Sequence, residues 1–422
     1  MTKPDADALV IGAGPAGASI AIRLARQGWR VVLVEQNGYP RQKVCGECLG
    51  PASLELLDEL GLGSKIRALA GPSIRQVAWM VGAHTTVGRM PARRTGLYAH
   101  GCAIGRDVLD LLILEHARSQ GVEVLQPAKV RRVHGGPGHF ECICEWRSDQ
   151  AAAKHERPAE SRLTASLVID AHGSWERGPE YDPVGHANAA TLRPRAADLL
   201  AFKATFQDST LEPGVLPVLC LPGGYGGMVV SDRGRTTVAC CIRRDTLSLW
   251  RARVGEGSAG DAVDEYLRSS CAGVANVLGN AQRREPWLAV GALRTGFHPR
   301  APRGVLRIGN AAAEAHPLIG EGICMALQSA RLLASLCARR PAQLDVPFIL
   351  HLQRAQRLIS RRDFSARMRL AQLFAQVAMR PSLAAVATVL LKRCPSALTA
   401  AAALAGKARA GVLQRAPCKV AA

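Results

Sequence analysis

Ala6 to Gly17 reads A-D-A-L-V-I-G-A-G-P-A-G, and this stretch decides the fold. Ala6 to Ile11 is an apolar run of strand length, and Gly12, Gly14 and Gly17 follow it in the spacing G-x-G-x-x-G. The next segment, A-S-I-A-I-R-L-A-R-Q-G, places Ile20, Leu24 and Ala25 on one helical face and meets its stop at Gly28. V-V-L-V-E then predicts a parallel strand, buried on both faces and ending at Glu35. Gly12 permits a tight turn, Gly14 lets backbone approach a pyrophosphate, and Gly17 lets the helix close on the strand, with phosphate charge received at the helix N-terminus. Glu35 stands where a carboxylate accepts hydrogen bonds from ribose hydroxyls. Pro15 and Ala16 in the turn, and Gln36 beside the acid, complete the expected contacts. The unit therefore binds a dinucleotide, and its local pattern leaves FAD and NAD both open.

The chain has 422 residues, enough for two or three domains, and its 48% hydrophobic and 21% charged residues exclude fibrous and largely disordered classes. Thirteen scattered cysteines do not form a disulfide framework, and no secretory signal precedes the first strand. A reducing cytoplasm is the expected location, with peripheral contact at the inner membrane surface as an addition. The net charge is +20, and from Pro347 onward thirteen Lys or Arg face the single acid Asp363. Aromatic residues are only 4%, which argues against nucleic acid as partner. An anionic membrane, an acidic protein or plain solubility can account for the basic region. Its uncharged run between Arg380 and Lys392 is too short to span a bilayer and is expected as a packed or surface-lying helix.

No second dinucleotide fingerprint appears; G-G-P-G at Gly135 and G-G-Y-G-G at Gly223 read as hairpin turns. Three later segments complete an ordered set. Gly105 to Gly121 predicts an amphipathic helix with Leu109, Leu112, Ile113 and His116 or Ala117 inward, followed by V-E-V-L and K-V-R-R-V as paired short strands. Leu167 to Gly173, L-V-I-D-A-H-G, is a buried strand ending in Asp170. Val305 to Ala326 is a strand, the turn G-N-A-A-A-E-A-H-P, and Gly320-Glu321-Gly322 opening a long helix.

This set, over roughly residues 5 to 340, resembles the FAD-dependent oxidoreductases of the para-hydroxybenzoate-hydroxylase-like fold, and within them the geranylgeranyl-reductase and FixC-like branch. That branch adjoins the flavin-dependent halogenases and aromatic hydroxylases. The resemblance implies an α/β architecture: a three-layer Rossmann-like FAD-binding domain, an antiparallel-sheet substrate domain and C-terminal helices. It implies FAD as cofactor, with the ADP half held by Gly12, Gly14, Gly17 and Glu35. Arg106 falls near the phosphates, Val130 offers backbone to adenine, and Asp170 and Gly173 form a second acidic turn. Gly309 and Asn310 match a motif that usually reads Gly-Asp, so the charge is lost there while an acceptor oxygen remains. Gly320, Gly322 and Ile323 bring a positive helix end to the flavin's pyrimidine edge, which stabilises the anionic reduced ring.

K-V-C-G-E-C, Lys43 to Cys48, has three readings from its residues: half a structural zinc site, a redox dithiol, or neither. The spacing of the remaining cysteines does not supply a zinc set, and no metal is expected. The resemblance favours a flavin-side loop R-x-K-x-C-G, with Arg41 and Lys43 toward the cofactor or an anionic substrate. Cys45 then lines the pocket or donates a proton, Glu47 is a substrate-side acid or base or else a solvated loop carboxylate, and Cys48 is incidental. His172 and His316 fall inside the motifs in positioning roles.

The expected FAD domain comprises residues 1–72, 101–180 and 290–340; the substrate domain 73–100 and 181–289; and a basic helical region 341–422. Ser-His-Asp, H-E-x-x-H and P-loop constellations are absent, as is the halogenase W-x-W-x-I-P. The expected activity is an FAD monooxygenase that takes electrons from NADPH or NADH. It would hydroxylate or epoxidise a hydrophobic polyketide-, aromatic- or isoprenoid-derived molecule, free or tethered to a carrier protein. A geranylgeranyl-reductase-type C=C reductase is the alternative, and a non-catalytic flavin module docking an acidic carrier or membrane is a second.

Overall fold

The computed structural model describes residues 4–93, 95–146, 160–182, 193–299, 301–339, 341 and 344–407. The end of the basic region, 408–422, lies outside them.

Ala6–Ile11, Pro15–Arg26 and Val31–Val34 form the expected strand, helix and strand. All four residues of Val31–Val34 are buried, which the unbroken apolar run requires of a central parallel strand. Ala6–Ile11 pairs in parallel with Val31–Val34 on one side and with Glu160–Asp170 on the other. The first sheet has eight strands. Outward from Ala6–Ile11 it continues through Val31–Val34 to Glu123–Leu125 on one side. On the other it runs through Glu160–Asp170, His139–Trp146 and Ala128–Gly136 to Glu180–Tyr181, with Leu306–Arg307 alongside Glu160–Asp170. V-E-V-L and K-V-R-R-V are thus not paired with each other. Each finds its partner elsewhere, in Val31–Val34 and His139–Trp146.

The helices Pro15–Arg26, Arg106–Ser119 and Gly322–Cys337 cover one face through a core holding Ile20, Leu24, Leu109, Ile113, Leu327 and Leu333. Leu109, Ile113 and Ala117 are the buried stripe of Arg106–Ser119, and His116 faces outward.

The second sheet also has eight strands, ordered Gln282–Arg283, Leu199–Gln207, Thr236–Arg243, Gly224–Val230, Val215–Leu221, Gln76–Val81 and His84–Arg89. The eighth, Leu288–Ala292, pairs with Leu199–Gln207. The sheet is not wholly antiparallel, because Val215–Leu221 runs parallel to Gln76–Val81. The chain between those strands crosses the FAD domain and returns in the same direction. The strand Leu288–Ala292 spans the expected 289/290 boundary. The glycine turns at Gly135–Gly138 and Gly223 do join hairpins, with Gly138 and Gly223 at φ of 92° and 76°.

The C-terminal helices are Val346–Met379, capped by Asp345, then Pro381–Arg393 and Ser396–Ala402. The first begins before the periodic segment that predicted it at His351. Among the described residues no single helix is long and apolar enough to cross a membrane.

Candidate flavin and substrate site

A cleft opens where the first sheet's glycine turn meets the K-V-C-G loop and the Gly320–Gly322 helix end. Gly12, at φ 96°, sits so close to Ala171 that a Cβ would fall 2.7 Å from its carbonyl oxygen. A Cβ on Gly17 would lie 1.8 Å from Gly12 O. Gly17 therefore seats the helix on the turn and does not itself line the cleft. Gly14, Pro15 and Ala16 do line it, together with Gln36, Val130 and Gly173.

Glu35 is buried and lines the cleft, with Oε2 accepting the Ala13 N–H at 2.8 Å and Oε1 accepting from Asn37 N at 3.0 Å. It therefore fixes the turn as well as presenting oxygen toward a ribose; a carboxylate has further lone pairs for that. Arg41 reaches Glu35 at 3.4 Å and stacks on Tyr39, whose hydroxyl donates to Ala13 O. Arg106 forks onto Asp110 with two bonds of 2.7 Å. Burial disfavours the Arg106 charge, but Asp110 outweighs it and raises the pKa. Two permanent guanidinium groups thus flank the phosphate end of the turn. Lys43 is pushed down to about 8 by burial first, and then by Arg41 and Arg106.

Glu47 lines the cleft and is not a solvated loop carboxylate. Only 1% exposed, it ion-pairs with Lys203, accepts the Arg106 N–H at 3.1 Å and accepts the Thr237 hydroxyl at 2.5 Å. Its φ of 59° is unusual for a residue with a side chain, and those contacts hold it there. Glu47 thereby links the K-V-C-G loop to two strands of the second sheet, a positioning role. Lys203 gave a sequence signal that passed unread: a lone charge inside the apolar strand L-L-A-F-K-A-T-F.

Cys45 lines the cleft and accepts the Glu47 N–H at 3.3 Å. Cys48 also borders it, donating to Gly46 O, and neither thiol forms a disulfide.

Asp170 is not at the cleft surface. It is fully buried, ion-paired with His172 and Arg307 and bonded to the Tyr181 hydroxyl at 2.8 Å. Burial raises its pKa, but those partners prevail and hold it down at about 2. It ties the strand ends that carry Ala171, His172 and Gly173, the residues that do line the cleft. Gly309 likewise lies behind it, with φ of 58° and a Cβ position 2.8 Å from Ala16 Cβ. Asn310 is the member that reaches the cleft. His316 faces away, bonded to the Tyr225 hydroxyl at 3.0 Å, and burial lowers its pKa.

Glu314 was missed, although it stands four residues after Asn310. It lines the cleft at 3% exposure, with Oε1 accepting from Ser174 at 3.0 Å and from Asn310 at 3.3 Å. Neither Glu314 Oε2 nor the Trp175 indole nitrogen completes a hydrogen bond of good geometry. Burial pushes the carboxyl's pKa up, against the pull of Ser174, His298 and that indole.

The cleft fits a dinucleotide on two counts. Gly46, Gly173 and Gly322 face open space where side chains would intrude. Buried on its wall, Arg41 Nε completes no hydrogen bond within the protein.

The model of the FAD-binding-domain family matches residues 5–340. The chain belongs to this family. Its cofactor is accordingly FAD, and the protein is a flavin-dependent oxidoreductase. The chain is 28% identical over 346 residues to a menaquinone reductase of Mycolicibacterium smegmatis, covering 78% of this chain and 76% of that protein. In structure it is similar to a flavin-dependent brominase, at a TM-score of 0.70, 16% identity and coverage of 95% and 93%. It is also similar to PqsL of Pseudomonas aeruginosa in complex with 2-aminobenzoylacetate, at a TM-score of 0.65, 18% identity and coverage of 90% and 98%. At such identities these structures support the fold of the FAD-binding family and no particular substrate.

Proposed function

We propose that the protein takes electrons from NAD(P)H and reduces a carbon–carbon double bond in a lipophilic quinone- or isoprenoid-type molecule. The observation that carries this reading is the Glu314 carboxyl, buried in the cleft wall with one oxygen tethered and the other unpartnered. FAD, when bound, supplies the hydride. The protein must supply a proton to the other carbon, and burial of Glu314 raises its pKa and so favours the protonated form. Ser174 and Asn310 fix Oε1, which leaves Oε2 to carry the proton. Arg41 and Arg106 bind the phosphates, and Val44 and Trp175 exclude water from the wall. The R-x-K-x-C-G loop and the likeness to menaquinone reductase support a place beside the geranylgeranyl-reductase-like proteins.

Hydroxylation of the same class of molecule is the second reading. It is favoured by the apolar cluster of Val44, Tyr225 and Cys241 behind the cleft, because oxygen chemistry on a flavin needs water kept out. The purified yellow protein is reduced with NADH or NADPH under nitrogen and given a short-chain isoprenoid quinone. A product heavier by two hydrogens supports reduction. A product heavier by one oxygen, formed only in air, replaces it with hydroxylation, and a colourless protein that takes up no FAD overturns both.

A further inference from the structure

The helix Pro381–Arg393 is apolar on both sides. Ala384, Thr388 and Leu391 are buried against the second sheet, and Trp79 Nε1 donates to the Thr388 hydroxyl at 3.1 Å. The opposite side exposes Leu383, Val386, Val389 and Leu390 at 40%, 60%, 53% and 59%. Helical spacing of 100° per residue gathers these four onto one outward stripe. A stripe of large aliphatic side chains on a helix whose other side is already packed is a binding surface or a liability.

We infer that this face docks on an anionic lipid surface. Its rim is cationic at both ends, with exposed Arg380 before the helix and exposed Lys392 and Arg393 closing it. No acid lies in the helix, and Asp363 is the sole acid from Pro347 onward. Aliphatic residues flanked by Lys and Arg suit the interface of a bilayer bearing negative headgroups. A second copy of the chain is a poorer occupant, since a two-fold contact would set one cationic rim against the other in a protein already at +20. A spanning role is excluded by packing. The preceding helix turns away by 99° and buries Ala371, Ala375 and Ala378 in the protein.

Ala384, on the buried side of the helix, belongs to the hydrophobic cluster that also holds Val44, and Trp175 packs against it; Val44 and Trp175 line the cleft. The inference does not depend on the reaction assigned above, because lipid binding is read without substrate or turnover.

Full-length holoprotein is sedimented with vesicles of phosphatidylcholine alone and of phosphatidylcholine with phosphatidylglycerol. Binding is expected to the anionic vesicles only and to weaken as salt screens the rim. The exposed pair Val386→Ser/Leu390→Ser should lower partitioning by about tenfold or more while the protein stays yellow. Lys392→Glu/Arg393→Glu, a second pair at exposed positions, should weaken it independently. Failure of the holoprotein to bind anionic vesicles overturns the inference. So does binding undiminished in the first variant, which would leave the basic residues alone responsible. A solution dimer that Val386→Ser/Leu390→Ser dissociates would assign the face to self-association and overturn it equally.

Discussion

At the scale of single residues, Glu314 is a cleft carboxyl whose pKa burial raises. Its raised pKa means that the neutral acid dominates below that value and is lost as pH rises through it. Turnover should therefore fall on the alkaline side of the profile. Glu314→Gln keeps the tether to Ser174 and Asn310 but cannot give a proton. It should lower kcat by about a hundredfold or more, remove that alkaline limb and leave FAD bound, as a stopped-flow pH series with the visible spectrum would record. The cysteines make a complementary case. Cys48→Ser should leave turnover intact, and Cys45→Ser should alter KM more than kcat, since Cys45 lines the wall without a proton relay behind it. Steady-state kinetics on the two variants would expose a dithiol at once: loss of kcat in both would restore the redox reading of K-V-C-G-E-C. Cys45 belongs to a motif that is local in the chain. The sequence hid Glu314 because A-E-A-H-P has no chemical pattern until the fold buries the carboxyl.

At the scale of elements, the glycine turn carries the strictest requirement. A methyl at Gly17 would stand 1.8 Å from a backbone oxygen that has nowhere to retreat, since Gly12 is itself pressed against Ala171. Gly17→Ala should separate helix from turn, pull the N-terminal amides off the phosphates and yield colourless protein. Absorbance of the purified variant checks this, and a fully yellow product would refute the packing role. This unit was legible because every part of it is contiguous in the chain and obeys local rules. The roles of Asp170 and Gly309 were not. Asp170 is consumed by His172, Tyr181 and Arg307, the last from a distant segment. A motif names which residues meet near a cofactor; burial decides which of them touch it.

At the scale of the whole molecule, the two sheets meet through a charged joint that no local pattern could announce. Glu47 comes from the loop after the second strand, Lys203 and Thr237 from two strands of the other sheet, and Arg106 N from the start of a third element. The sequence separations run from 59 to 190 residues. Topology was legible for the parallel core, where hydrophobic runs are unbroken, and not for the crossover that makes Gln76–Val81 parallel to Val215–Leu221. The joint nonetheless has a measurable signature. Lys203 and Glu47 are each 1% exposed on their side chains, so removing either leaves a buried charge without its counter-ion. Glu47→Gln or Lys203→Met should each cost about 3–5 kcal/mol of stability. The double variant should cost less than the sum by more than about 1 kcal/mol, because it removes both charges together. Urea unfolding at fixed FAD concentration measures all four corners of that cycle. Additive losses would mean that the two side chains do not share their burial, and that the sheets are held together by apolar packing alone.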